Sequence, residues 1–227
     1  MTISKNTISF LDNLSKNNNR DWFTENKPTY LEAHENIIGF ADKVLEILNT
    51  FDKIETASGK KSVKRIYRDV RFSKNKDPYK NNFGIEFKRS GANRRGGFYI
   101  HIAPNASFIG GGFWGPEKED LLRIRKHIEV DDSELRSVIN SKDFKSVFGE
   151  LKGEQLKSAP KGFDKKHKAI DLLRFKQFLI GTDFTNEQVT ATDFAQTAAY
   201  TLKAMLPFFE VMTEMLTTNL NGESLID

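Results

Sequence analysis

The alternation of large apolar residues between positions 83 and 114 constrains the fold more than any other feature of this chain. Residues 83–88 read FGIEFK and residues 98–103 read FYIHIA, so every second side chain is large and apolar. Successive side chains of a strand point to opposite faces, so both segments are predicted to be half-buried strands. Pro104 and Asn105 mark a turn before a third segment, Ser107 to Trp114. The pattern predicts antiparallel strands joined by hairpins.

Apolar residues spaced three or four apart predict long amphipathic helices towards both ends of the chain. The first begins at Pro28 and runs to Phe51. The other is capped by Thr192 and runs to about Leu216, with Pro207 expected to kink or split it. Shorter helices are predicted over Thr7–Lys16, Arg20–Asn26, Leu135–Ile139 and Phe144–Phe148, and another opens at Pro116.

These elements predict an α+β fold in a single domain of unknown function, residues 1–227. We expect an antiparallel or mixed sheet of about five strands, packed with N- and C-terminal amphipathic helices. Leu172 to Ile180 is a further strand candidate. The pattern of Arg65 to Phe72 fits a strand or a helix and does not decide between them.

Composition excludes several classes of function. The chain of 227 residues has no cysteine, which removes disulfides, thiolate nucleophiles and cysteine-ligated zinc. None of the four histidines has a zinc-binding spacing, so no metal site and no cofactor is predicted. No apolar run approaches the eighteen or so residues of a membrane span. We expect a cytoplasmic protein that does not bind membranes.

Charge is unevenly distributed along the chain. Residues 57–95 hold 13 Lys and Arg against three acidic residues, whereas the net charge of the whole chain is only +4. A second basic stretch, residues 151–176, holds eight against three. Such a distribution creates a local positive field that attracts anions. The alternative is a solvated lysine-rich face that only maintains solubility.

The segment from Arg65 to Lys80 is the best functional candidate because its cations alternate with aromatic residues. Arginine offers a planar fork of donors suited to phosphate or carboxylate, and aromatic rings can stack on bases or sugars. The candidate anion-binding residues are Arg65, Arg68, Asp69, Arg71, Lys76, Tyr79 and Lys80. The structural alternative is that Asp69 pairs with Arg68 or Arg71 and that the aromatic residues belong to the core.

Partners and chemistry stay open at this stage. An anionic small molecule or an acidic partner is expected, and nucleic acid only as a weak ligand, because the flanking sequence is acidic. Asp69 with Glu86 and Lys88 imitates the carboxylates and lysine of a metal-dependent nuclease, but such spacings recur by chance. His101 is a candidate general base, since it alternates outward from the predicted sheet. No catalytic residue, reaction or oligomeric state is assigned.

Three stretches of the sequence carry a family resemblance. They read FLxxL, NNxRxWF and KxxY over residues 10–30, RIxRDVRFS and KxPYK over 65–80, and PKGF, H and IDLLR over 160–174. Together they resemble the conserved family called domain of unknown function 2461 (DUF2461). The resemblance implies a single full-length domain, found mostly in bacteria and fungi, without an assigned activity, cofactor or substrate. The site positions that match its pattern are Arg68, Asp69, Arg71, Lys76, Tyr79 and Lys80.

Overall fold

The sheet is the central feature of the structure, a computed structural model that describes residues 2–226. It has four antiparallel strands in the order β1-β2-β3-β4, which confirms the predicted α+β class. The prediction of about five strands was one too many. The strands are β1 (Phe83–Lys88), β2 (Gly97–Ile102), β3 (Ser107–Phe113) and β4 (Phe178–Phe184).

The helices follow the predicted apolar stripes. The N-terminal helices are capped by side chains, Ser4 accepting from the amide of Thr7 and Asn19 from that of Trp22. The helices are α1 (Lys5–Lys16), α2 (Arg20–Glu25), α3 (Lys27–Leu48), α4 (Gly59–Ser62), α5 (Lys118–Val130), α6 (Ser133–Asn140), α7 (Lys142–Phe148), α8 (Ile170–Leu173), α9 (Asn186–Val189), α10 (Phe194–Lys203) and α11 (Leu206–Thr217). None of them, within residues 2–226, has the length and hydropathy of a membrane span.

Pro207 splits the C-terminal helix, as predicted. Helix α10 ends at Lys203 and α11 begins at Leu206, with the proline in its first turn. Proline has no amide hydrogen to donate to the preceding turn, so a helix can start at this position but cannot continue through it.

The strand predicted over Leu172–Ile180 was placed too early. Ile170–Leu173 forms the short helix α8, and β4 begins only at Phe178. The guanidinium of Arg125 donates to the carbonyl oxygens of Leu173 at 2.9 Å and Phe175 at 3.0 Å. These two carbonyls therefore accept hydrogen bonds from an arginine side chain and not from the backbone of a neighbouring strand. The apolar pattern of the segment itself carries no information about such a distant donor.

The undecided segment Arg65–Phe72 is neither helix nor strand. It belongs to a loop whose only ladder contact among the described residues is an isolated antiparallel bridge between Tyr67 and Tyr79. Its polar side chains bond to its own backbone, which removes the need for a continuous ladder.

The chain divides into two compact units, each with its own aromatic core. The first unit comprises Met1–Lys88, Tyr99–Ile109 and Asp183–Thr201. In its core the rings of Phe40 and Phe194 stack 5.6 Å apart. That residues 1–227 behave as a single domain stays a prediction.

The second unit comprises Arg89–Phe98, Gly110–Thr182 and Leu202–Asp227. The rings of Phe98 and Phe209 pack 5.2 Å apart, and Phe113 meets Phe209 edge to face.

Candidate functional site

The candidate site is built on the loop from Arg65 to Lys80, here called the basic loop. Backbone hydrogen bonds close its base: the amide of Arg68 donates to the carbonyl of Pro78 at 2.9 Å, and the amide of Lys80 donates to the carbonyl of Ile66 at 2.8 Å. Asn18, which follows α1, also binds the base of the loop, through both the nitrogen and the oxygen of its side-chain amide. It donates to the carbonyl of Tyr79 at 3.0 Å and accepts from its amide at 3.1 Å. The loop is therefore fixed at its base.

An aromatic cluster supports the base of the loop. The ring of Tyr79 stacks on Phe23 with centroids 3.9 Å apart and planes 11° apart. Phe23 also packs against Tyr30 at 5.1 Å and Tyr67 at 6.1 Å. Burial raises the pKa of the Tyr79 hydroxyl above its usual value. Tyr79 is therefore a core residue. This agrees, for Tyr79, with the alternative interpretation that the aromatic residues of the loop belong to the core.

Arg68 holds the loop in shape from inside. Its guanidinium donates to the carbonyl of Asp77 at 3.2 Å and to the hydroxyl of Ser73 at 3.3 Å. The Asp77 carboxylate lies 3.9 Å from the same guanidinium. Two of the five arginine N–H groups are used in this way, so others stay available for a ligand.

Asp69 and Arg71 form a bidentate ion pair with each other. Arg71 Nε lies 3.0 Å from Asp69 Oδ1, and Nη2 lies 2.6 Å from Oδ2. Side-chain hydrogen bonds from Arg71 lower the pKa of the exposed Asp69 carboxyl. Lys76 Nζ donates to the carbonyl of Val70 at 3.0 Å. These residues mainly shape the loop, and an exposed ion pair of this kind adds little to stability.

A cavity of about 290 Å³ opens beside the base of the loop. Its lining is polar, with four asparagine side chains, two cations and one carboxylate. The lining residues are Ser15, Asn18, Arg68, Asn75, Asp77, Tyr79, Lys80, Asn81 and Asn82.

Lys80 is the cation of this cavity that has no protein partner. In the described chain its ammonium makes no hydrogen bond and no ion pair. Burial lowers its pKa, and the nearby cations Arg65 and Lys64 lower it further. Lys64 is paired with Glu86, whereas Arg65 is exposed. The local potential at Lys80 is therefore positive and incompletely compensated.

His101, the candidate general base, lies on the outer face of the sheet. Its ring stacks on Phe108 with centroids 4.8 Å apart, and its Nδ1 lies 3.2 Å from the amide nitrogen of Asn82 and 3.3 Å from the hydroxyl of Tyr99. Burial lowers the pKa of the imidazole, which favours the neutral, proton-accepting form. Asn82 also lines the cavity, so His101 is connected to the cavity through the side chain of Asn82. A role as general base stays a prediction.

The three residues of the nuclease hypothesis each have a charged partner elsewhere. Asp69 pairs with Arg71, Glu86 with Lys64, and Lys88 with Glu55 at 3.0 Å. Within residues 2–226, no three His, Asp or Glu side chains converge in an arrangement that could hold a metal ion. No observation therefore favours this hypothesis.

The cavity brings together only part of the predicted set. Arg68, Tyr79 and Lys80 line it, whereas Arg65, Asp69, Arg71 and Lys76 do not. Sequence reasoning missed its asparagines, of which Asn18 and Asn82 make the key contacts. The available signals were the pair of asparagines at 81–82 and the run at 17–19, which lies between the predicted helices Thr7–Lys16 and Arg20–Asn26. An asparagine that binds a ligand or a distant backbone looks, in sequence, like one in a turn.

Comparison with known proteins identifies a family but no relative of known function. The sequence model of the family described as "Conserved hypothetical protein (DUF2461)" matches residues 6–210. No curated protein matches the chain. No solved structure matches it either.

Proposed function

The chain belongs to the DUF2461 family, and we propose that it binds a small anion, bearing phosphate or carboxylate, in the cavity beside the basic loop. The observation that carries the proposal is Lys80, a half-buried ammonium that makes no hydrogen bond or ion pair with residues 2–226 and lies near the cations Arg65 and Lys64. An anion would supply the missing counter-charge and accept a charge-assisted hydrogen bond.

Arg68 supports the same ligand. Its guanidinium is already oriented by Ser73 and Asp77, so its remaining donors require little further ordering when an anion binds. Asparagine side chains around it offer both donors and acceptors, which suits hydroxyl or amide groups beside the charge. The volume of about 290 Å³ fits a small molecule. A cytoplasmic location stays a prediction.

Titration of the protein with inorganic phosphate, and separately with citrate, in a calorimeter tests the proposal. Lys80→Gln should weaken binding roughly 10- to 100-fold, the effect of losing a hydrogen bond to a charged group. Lys61→Gln is the matched control, because Lys61 is an exposed cation of the same basic stretch, residues 57–95, that does not line the cavity.

Equal losses in both variants would indicate only a general effect of charge and would contradict a site at Lys80. Absence of binding to both anions in the unmodified protein would overturn the proposal. Thermal melts of the variants without ligand check that Lys80→Gln is folded.

A further inference from the structure

The tip of the basic loop, defined as Arg71, Phe72 and Lys74, presents an aromatic ring to solvent. Phe72 is 96% exposed, the most exposed of the large hydrophobic residues in the described chain. The guanidinium of Arg71 lies 5.8 Å from the centroid of this ring. Lys74 is exposed and makes no ion pair or hydrogen bond within residues 2–226. An apolar ring that remains almost fully exposed is available to a partner.

Bonds within the loop restrain the backbone that carries this ring. Ser73 is tied to Arg68 through its hydroxyl and to the carbonyl of Val70 through its amide, at 3.3 Å in both cases. Lys76 Nζ crosses the loop to the same carbonyl of Val70. These bonds fix the backbone on both sides of Phe72. The loop is thus preorganised, which reduces the entropy lost when a partner binds.

The chemistry of the tip favours one class of partner. An exposed ring beside the Arg71 guanidinium, with Lys74 two residues further along the chain, fits a ligand that carries both planar rings and regularly spaced negative charges. Single-stranded nucleic acid has both, and its bases are open to stacking on aromatic side chains. A duplex buries its base faces, and an acidic polypeptide has charge without obligatory rings.

We propose that the tip of the basic loop binds single-stranded nucleic acid, with one base stacked on Phe72 and neighbouring phosphates bound by Lys74 and by the Nη1 group of Arg71, which the ion pair with Asp69 does not use. This proposal does not depend on the anion cavity, because none of the three tip residues lines it. It gives the excess of positive charge in residues 57–95 a ligand of opposite charge.

Fluorescence anisotropy of a labelled oligothymidylate of about twelve nucleotides tests the proposal. Phe72→Ala should weaken binding roughly 5- to 100-fold, the range found when a stacking aromatic residue is replaced by alanine. Phe72→Trp should retain or strengthen it. Trp114→Ala is the matched control, since Trp114 is an aromatic residue 78% exposed but lies outside the basic loop.

Salt dependence measures the phosphate contacts. Two or three phosphates on a single strand give a slope of about −1.5 to −2 in log affinity against log salt. Lys74→Gln should reduce the magnitude of this slope by about 0.7, whereas Lys5→Gln, at an exposed lysine of α1, should leave it unchanged.

Three outcomes would overturn the proposal. One is an unchanged affinity for the oligonucleotide in Phe72→Ala. Another is equal affinity for a duplex of the same length, and a third is competition by polyglutamate as effective as that by unlabelled oligothymidylate. The last result would identify an acidic protein surface as the better partner. Failure of this test leaves the phosphate titration of Lys80→Gln unaffected.

Discussion

The role of a cation in the basic loop depends on which of its donors the protein already uses. Arg71 and Lys76 bond to groups of the loop itself, and Arg68 does so in part. Lys80 carries the same charge but has no such bond in the described chain. A count of basic residues therefore overstates the size of the site. The useful residues are those whose donors point to space that no protein acceptor fills.

His101 makes a pH-dependent contribution to stability with a defined sign. Burial lowers its folded pKa below the usual 6.5, so as pH falls below that value the unfolded chain takes up a proton that the folded chain does not. The free energy of unfolding should therefore decrease as the pH falls through this window, and the decrease should stop below the folded pKa.

Urea unfolding at pH about 7.5 and about 5.5 measures this contribution. The wild type should lose more stability on acidification than His101→Gln, which cannot titrate. The pKa of His34 is lowered by burial as well, and this residue remains in both proteins, so the difference reports on His101. Equal losses in the two proteins would mean that the imidazole is not shielded from solvent.

Substitutions at Gly112 and Gly115 distinguish two sources of destabilisation, a steric clash with a neighbouring strand and backbone strain. Both glycines have positive φ, 132° and 61°. A Cβ at Gly112 would lie 2.2 Å from the carbonyl oxygen of Phe178 in β4, whereas at Gly115 nothing lies within 4 Å. Gly115→Ala should cost about 1–2 kcal/mol, from the left-handed conformation alone.

Gly112→Ala should cost more than about 3 kcal/mol of unfolding free energy, because β3 and β4 would have to separate. Chemical denaturation of the two variants provides the comparison. Similar losses would show that the strands can move apart without difficulty.

At the scale of elements, the basic loop keeps its position through a contact that is distant in sequence. Asn18 contributes two hydrogen bonds to the backbone of Tyr79, a residue 61 positions later. Asn18→Ala removes both and leaves a carbonyl and an amide of a buried residue unsatisfied. We expect a loss of about 1–3 kcal/mol.

The same substitution should increase hydrogen exchange at the Tyr79 amide, which NMR can follow. Asn81→Ala is the matched control, because Asn81 lines the same cavity, is exposed, and makes no hydrogen bond within residues 2–226. It should change stability by less than about 0.5 kcal/mol. If Asn81→Ala were the more damaging of the two, the assignment of the contact to Asn18 would be wrong.

For the whole molecule, the open question is cooperativity. The chain boundaries between the two units fall inside strands β2, β3 and β4 and inside helix α10. Each of these four elements therefore contributes residues to both units. We therefore expect one cooperative transition, as for a single domain. A single tryptophan lies in each unit, Trp22 in the first and Trp114 in the second.

Trp114→Phe leaves a reporter in the first unit, and Trp22→Phe leaves one in the second. Denaturation midpoints followed by fluorescence should coincide with the loss of helical circular dichroism in each variant. Two separated midpoints in either variant would contradict the single-domain prediction.

The sequence by itself determined the regular elements that have a clear apolar period. Strand β1, strand β2 and the long helix α3 follow from the spacing of their apolar residues, because one face of each must be removed from water. The interruption at Pro207 followed from the missing amide hydrogen. Membership of the family was also recognisable, because its motifs are local strings of residues.

Tertiary structure decided what depends on partners distant in the chain. Arg125 occupies the carbonyls of Leu173 and Phe175, and so a run that could have been a strand begins as a helix. Asn18 reaches Tyr79 in the same way, and Lys80, unlike Arg71, has no hydrogen-bond or ion-pair partner among residues 2–226. Local patterns record burial and backbone preference, whereas hydrogen-bond partners and unpaired charges arise only when distant segments meet.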